Sequence, residues 1–318
     1  MTRTARPTAI APPRIEASPN ETDAAGATTA DCPMDALLQR ADRCSADAFA
    51  CGALQPIRTE QTWLDAEGLR FSVRWVSSLA LKDRARVDTV IRRRPDFNPF
   101  LPPEPALTVA AIGEHHLVVL NKFPVIERHL LIVTRAFEPQ TAALSDSDLL
   151  ALAKVLRAHG GLGFYNGGRI AGASQAHKHL QWVPSTAAAL TPFVPRSCLD
   201  RPGYAVCNPA LPWAHAFVGL EEHAWRDDTA AGQNLRAALQ TACAALSMPA
   251  RAQSMPDYNL LVSRECLLLV PRTQEKWQDV SINSLAYAGS LFVRDHAQIA
   301  RLRAAGALAV LAAVGRPG

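Results

Sequence analysis

The chain has 318 residues, of which 48% are hydrophobic, and a formal net charge of +4. That is enough apolar material for one large core or two modest ones, and it excludes disorder throughout. Twenty-eight of the 33 basic residues are arginine, scattered rather than massed, which favours small anionic ligands and gives no footprint for a nucleic-acid partner.

Residues 1–33 are rich in Ala, Thr and Pro without the apolar run of a secretory signal, and read as a disordered tail. The seven cysteines (Cys32, Cys44, Cys51, Cys198, Cys207, Cys243 and Cys266) include no Cys-x-x-C pair. A reducing compartment suits them, so the protein is expected in the cytoplasm. No stretch reaches the length of a membrane span, and no membrane partner is expected.

Met34 to Leu54 reads as one or two short helices and Leu69 to Leu81 as a strand, followed by the charged turn Lys82-Asp83-Arg84. Five prolines between Arg92 and Pro105 preclude regular structure there, and a loop of that length in a compact domain is often functional. His116 to Leu120 and Leu130 to Thr134 are β-rich runs expected to pair antiparallel. Ser145 with Asp148 three residues on caps a helix that Gly160-Gly161 ends. Leu162 to Asn166 is a short strand, Gly167 to Gln175 a small-residue loop, and His177 to Val183 a further strand. Pro192 to Asp228 has few periodic signals. A helix from Asn234 to Leu246, strands at Asn259 to Val262 and Cys266 to Val270, a loop from Pro271 to Trp277, a strand at Ser290 to Val293 and a terminal helix from Ala297 to Val314 complete the chain.

The run His177-Lys178-His179-Leu180-Gln181 carries the chemistry. Alternation along a strand puts His177, His179 and Gln181 on one face and Lys178 on the other. Random placement yields His-x-His-x-Gln in a chain of this composition roughly one time in a hundred. Two histidines lining a polar sheet face, with or without a metal, is the plain alternative. Just upstream, Gly167-Gly168 and Gly172-Ala173-Ser174 form a loop whose uncovered backbone N–H groups can approach a phosphate. A phosphate site beside a histidine nucleophile is what nucleotidyl transfer needs.

Several segments together resemble the diadenosine tetraphosphate phosphorylases, ATP adenylyltransferases of the histidine-triad superfamily. These are Asn98-Pro99-Phe100-Leu101-Pro102-Pro103, Asn121-Lys122-Phe123, His129 to Phe137, Gly163 to Gly168 and above all Ala171 to Gln181. The likeness resumes at Tyr258 to Val262, Val270-Pro271-Arg272, Ser281 to Ser284 and Ala288 to Leu291. It implies an α+β fold, an antiparallel β-sheet with packed helices of histidine-triad type. A catalytic domain would then have an N-terminal part (34–190) with the histidine motif and a C-terminal part (191–318) completing the nucleotide site.

The resemblance implies that His179 attacks the α-phosphorus of a dinucleoside polyphosphate, leaving a nucleotidyl-histidine that inorganic phosphate resolves to ADP. The imidazole must be neutral, and a carbonyl holding its other N–H would fix the tautomer. Gln181 stands where hydrolytic members carry a third histidine. An amide does not activate water by changing protonation, which favours transfer to phosphate, and it can hydrogen-bond a non-bridging oxygen instead. His177 is expected to orient the strand or the phosphate, and Lys178 to be solvated or fold-stabilising. Lys82 matches a substrate-binding lysine of the family, with a plain surface lysine as the alternative. Gly172, Ala173, Ser174 and Gln175 are anion candidates, Asn98 a base or ribose contact, and Asn166 a ribose or α-phosphate contact. Asn283, Gly289 and Arg294 would line the site from the C-terminal segment. No acidic cluster for a divalent cation emerges, so the protein is expected to bind no cofactor and magnesium to arrive on the substrate phosphates. A sugar-phosphate nucleotidyltransferase of the same superfamily and a non-catalytic nucleotide-binding protein are the alternatives. The oligomeric state is open.

Overall fold

A computed structural model describes residues 33–76 and 97–318. The expectations for the tail up to residue 32, for Leu69 to Leu81 beyond Val76 and for Lys82 lie outside the described residues. After a 3-10 turn at Met34–Ala36, helix α1 (Leu37–Ala50) buries Leu37, Ala41 and Ala48. Strands β1 (Thr59–Ala66) and β2 (Leu69–Val76) form a hairpin in register from Ala66↔Leu69 to Thr59↔Val76. Its two turn residues, Glu67 and Gly68, both have positive φ (50° and 80°), which matches the right-handed twist of the flanking strands. Sequence reading passes over β1 because only Leu64 in it is buried.

The main sheet takes β3 (Thr108–Ile112), β4 (His116–Leu120) and β5 (Leu130–Thr134), then α2 (Asp146–His159), β6 (Leu162–Gly167) and β7 (His179–Val183). Beyond residue 190 come α3 (Arg196–Asp200), β8 (Ala205–Val206), β9 (Ala216–Gly219), α4 (Asp228–Ala245), β10 (Tyr258–Val262) and β11 (Cys266–Pro271). Nine strands lie in the order β3-β4-β5-β7-β6-β10-β11-β9-β8, every pair antiparallel. The N-terminal and C-terminal parts thus share one sheet, joined through β6 and β10. The stretch from Pro271 to Trp277, expected as loop, contains strand β12 (Lys276–Trp277), which pairs with β13 (Val280–Ser281). Strand β14 (Ser290–Val293) runs parallel to β2 and completes a three-stranded sheet.

Helix α4 starts six residues before Asn234 because the Asp227 side chain accepts the Ala230 N–H and caps it there. The weakly patterned stretch from Pro192 to Asp228 hides β9, whose four residues are all buried, so no polar alternation marks it. The expected terminal helix is two, α5 (His296–Ala305) and α6 (Ala307–Val314), bent by 90° at Gly306. Gly306 takes φ 83°, ψ 134°, a conformation closed to side-chain-bearing residues, and the bend lays α6 on the core. Among the described residues no single helix is long and apolar enough to cross a membrane.

The faces of the main sheet differ. One is covered by α1, α2 and α4 in a single core that includes Leu130, Ile132, Leu180, Trp182 and Tyr165. The other carries two separate apolar patches. Phe100, Ala111, Leu117, Val119, Leu131 and Val133 cover β3 to β5, and Phe164, Val183, Leu268 and Val270 pack with Trp213 and the C-terminal helices. Between these patches, on β7 and just before β5, lies a polar stripe of His179, Gln181 and His129.

Candidate active site

Strand β7 begins at His179, two residues later than expected, because His177 instead makes an isolated bridge with Pro139. Within the strand, alternation acts as expected: Leu180 and Trp182 enter the helix-covered core, while His179 and Gln181 face the stripe beside Val133 and Leu131. Lys178 goes to the core side and is 1% exposed, so it is not a solvated lysine. Its Nζ donates to Glu138 Oε2 at 2.5 Å, Asp148 Oδ2 at 3.1 Å and the Ala143 carbonyl at 3.1 Å, and His116 Nε2 bonds Asp148 Oδ1 at 2.7 Å. Burial opposes ionisation of Asp148, but the His116 hydrogen bond, the Lys178 charge and the Ser145 amide hold its carboxyl down to about 2. This satisfied buried cluster fastens the motif to α2.

His177 is held at both ring nitrogens. Asn98 Nδ2 donates to Nδ1 at 2.9 Å, and Nε2–H donates to the Thr134 carbonyl at 2.8 Å. The partners assign a neutral Nε2–H tautomer and leave no ring nitrogen for a ligand. Asn98 Oδ1 in turn accepts the Phe100 N–H at 3.0 Å, so the side chain ties the proline-rich loop to His177. Phe100 from that loop stands 5.5 Å from the His177 ring and 5.4 Å from the His179 ring. The carbonyl that fixes the nucleophile's tautomer belongs to His177 itself: His179 Nδ1–H donates to it at 2.8 Å. Burial pushes the His179 imidazole down to about 4, so it is neutral at physiological pH. Its Nε2 has no hydrogen-bond partner among the described residues.

Gln181 is oriented by a residue that sequence reading did not place in the site. Asn121 Nδ2 donates to His129 Nδ1 at 3.1 Å, so His129 carries its proton on Nε2 and donates it to Gln181 Oε1 at 2.9 Å. With its oxygen occupied, Gln181 presents its NH2 group to the stripe. Burial also takes the His129 imidazole down to about 4. The signal that could have found His129 is its parity: it immediately precedes β5 and is in phase with Leu131 and Val133, which the register sets against Gln181 and His179.

The glycine loop closes on the C-terminal segment. At Gly172, with φ 92°, a Cβ would stand 2.8 Å from the Ile282 carbonyl and 2.9 Å from the Asn283 Cβ, so the loop rests directly on Asn283. Ala173 N–H bonds the Gly168 carbonyl at 3.1 Å, Ser174 is exposed and Gln175 half-buried. Asn166 Oδ1 receives the Ser284 N–H at 2.9 Å, the Ser284 hydroxyl at 2.7 Å and Asn259 Nδ2 at 3.0 Å. Its own Nδ2 makes no bond among the described residues and is not sealed from solvent. Asn259 is aimed by Arg272 Nη1, 2.6 Å from its Oδ1.

The other two C-terminal candidates flank β14. Gly289, with φ 76°, ends the 3-10 turn Ser284–Ala288 and lies against β2, where its carbonyl accepts the Ser72 N–H. The Arg294 side chain is half-exposed and paired with Asp279. A cleft of about 780 Å3 meets the Gln181 end of the stripe, lined by Asn121 and His129 together with Arg74, Arg128 and Asp42. Among the described residues no three His, Cys, Asp or Glu side chains stand together as a metal cluster.

The family profile of the Ap4A phosphorylase N-terminal domain matches residues 27–199, and that of the ATP adenylyltransferase C-terminal domain matches residues 209–317. Diadenosine tetraphosphate phosphorylase 2 of Saccharomyces cerevisiae is 29% identical over 78% of this chain and 80% of its own length. Protein APA1 of the same yeast is 28% identical over 62% of this chain and 69% of its own. The crystal structure of yeast Ap4A phosphorylase Apa2 in complex with Ap4A superposes with a TM-score of 0.69 at 26% identity, covering 88% of this chain and 97% of that one. With more than half of its residues matched by the first profile alone, the chain belongs to the Ap4A phosphorylase family of ATP adenylyltransferases.

Proposed function

We propose that this protein is a nucleotidyltransferase that cleaves diadenosine tetraphosphate with inorganic phosphate, reversibly, into ATP and ADP. The observation that carries the reading is His179: buried, neutral, with Nδ1–H held by a main-chain carbonyl and Nε2 unengaged. Nε2 attacks the α-phosphorus of one adenosine, the bond to the bridging oxygen breaks and ATP leaves. The adenylyl-histidine that remains is attacked by an oxygen of inorganic phosphate, the N–P bond breaks and ADP is released. Gln181 Nε2–H donates to a non-bridging oxygen of the attacked phosphorus as its charge is redistributed. Asn166 Nδ2–H and the N–H groups of Ser174 and Gln175 take further substrate oxygens, while the Gly172 and Ala173 N–H groups close the loop on the Arg169 and Gly168 carbonyls. Magnesium, where used, enters on the polyphosphate. The six described cysteines are unbridged, which suits the cytoplasm.

The deciding assay incubates the protein with diadenosine tetraphosphate with and without phosphate and identifies products by mass. Repeated turnover to ATP and ADP only when phosphate is present, with no more than one ATP per enzyme released in its absence, is the expected result; repeated formation of AMP and ATP without phosphate would overturn the reading.

A further inference from the structure

Strands β6 and β7 are paired from Leu162↔Val183 to Phe164↔Gln181 and then part, although β6 runs on to Gly167 and β7 back to His179. Each keeps its outer neighbour at that level: Asn166 pairs with Asn259 on β10, and His179 with Val133 on β5. A side chain from neither strand fills the gap. Gln140 Oε1 accepts the His179 N–H at 2.8 Å, while its Nε2 donates to the Asn166 carbonyl at 2.9 Å and lies 3.3 Å from the His179 carbonyl. One primary amide, with an acceptor and two N–H donors, stands in for a unit of the missing ladder. Gln140 is itself fixed, at 3% exposed. Its N–H donates to the Ala176 carbonyl at 2.7 Å and its carbonyl accepts the Tyr165 hydroxyl at 2.5 Å.

The main-chain groups it takes belong to the two residues whose side chains offer Nε2 and Nδ2 to the site. We propose that Gln140 is a positioning residue of the transfer reaction: by bridging the divergent strands it sets the separation of the His179 imidazole from the Asn166 amide, and so the line of attack on phosphorus. This rests on the reading of His179 as nucleophile. Misplacing reacting groups by an ångström costs about a hundredfold in rate, which is the scale on which the bridge acts.

Gln140→Glu separates positioning from packing. Protonated, the carboxyl can still accept the His179 N–H and donate to one carbonyl. Ionised, it sets a charge against the carbonyl oxygens of Asn166 and His179 with no donor for either. The titratable groups on the surrounding elements are Tyr165 and Tyr258, His177 and His179, and the Lys178, Glu138 and Asp148 cluster. Burial moves the two tyrosines up and the two histidines down, so that all four stay uncharged across the pH range of the test. Adenylyl-enzyme formation is followed in a single turnover with diadenosine tetraphosphate and no phosphate, for variant and wild type, from pH 6 to 8.5. The expected ratio of variant to wild-type rate falls at least about tenfold as pH rises across that range, with the circular dichroism unchanged.

A ratio independent of pH, or a rate lost only in parallel with folded signal, would overturn the proposal. Gln140→Met, which lacks all three bonds, is expected to slow the step roughly a hundredfold at every pH while diadenosine tetraphosphate binds within about threefold of wild type. Equal loss of binding and rate would assign the amide to the fold alone. If the methionine variant does not fold, the glutamate variant at pH 6 carries the test. A wild-type enzyme that forms no covalent adduct would remove the nucleophile reading and this proposal with it, whereas an intact adduct with a flat ratio removes only the role of Gln140.

Discussion

Replacing His129 with phenylalanine removes the N–H that Gln181 Oε1 accepts at 2.9 Å while keeping a ring against Phe164, 5.7 Å away. Asn121 loses its acceptor too, but it is only half-buried and can turn to water. What changes is the amide of Gln181. Without the His129 proton nothing on that side distinguishes its oxygen from its nitrogen, and it can turn its oxygen toward the phosphate. The orientation is held by one hydrogen bond worth about 1–1.5 kcal/mol, so kcat is expected to fall about tenfold. Gln181→Ala, which deletes the donor, is expected to cost about 100- to 1,000-fold, the usual worth of a donor aimed at developing charge. The assay is ATP and ADP production at saturating phosphate for wild type, both single variants and the double variant. Since His129 acts through Gln181, the double variant should be no slower than Gln181→Ala within about twofold. Multiplying losses would refute the relay, as would a His129→Phe enzyme with unchanged kcat.

His179→Ala is expected to abolish turnover while leaving equilibrium binding of diadenosine tetraphosphate largely intact by calorimetry; near-normal activity would refute the nucleophile. Lys178→Met leaves Asp148 ionised and buried without its cation, so chemical denaturation should show a loss of about 3–5 kcal/mol, with KM of the folded enzyme unchanged. The pH dependence of stability follows from His179 and His129, held near 4 in the fold against about 6.5 when unfolded. The unfolded chain binds more protons between those values, so stability is lost as pH falls from about 6.5 to 4. Urea midpoints at pH 7.5 and 5 check it, and a higher midpoint at pH 5 would contradict it.

What the sequence made legible is local. The Ser145 and Asp148 capping box lies within four residues, and so does the spacing that puts His179 and Gln181 on one face. His129 and Gln140 were not legible, because their roles depend on which strands become neighbours. His129 reaches Gln181 only through the β5 and β7 register, and Gln140 reaches His179 only where β6 and β7 part. Asn98 shows the reverse case. Its neighbouring prolines mark a loop near the site, but only the fold reveals that its amide is committed to His177. Gly289 and Arg294 are close in sequence to Asn283, yet the 3-10 turn after Asn283 carries them to the small sheet.

The choice of orienting group for His179 fits the charge of its substrate. A carboxylate on Nδ1 would fix the same tautomer but would raise the imidazole's affinity for a second proton, and a polyphosphate beside Nε2 raises it further. Both would fill the lone pair that must attack. A neutral main-chain carbonyl at 2.8 Å orients the ring with a far smaller effect of this kind, and burial under Phe100 pushes the other way. An imidazole held near 4 can gain about 4 kcal/mol in proton affinity from bound phosphates and still be half neutral at pH 7. The local carboxylates are instead spent across the sheet on Lys178, where Asp148 and Glu138 neutralise a buried cation. Moving an acid to the stripe, as in Val133→Asp at the position paired with His179, is therefore expected to slow adenylyl transfer below about pH 7 and to spare it at higher pH. A rate unaffected by pH in that variant would show that the neutrality of His179 is not what the carbonyl protects.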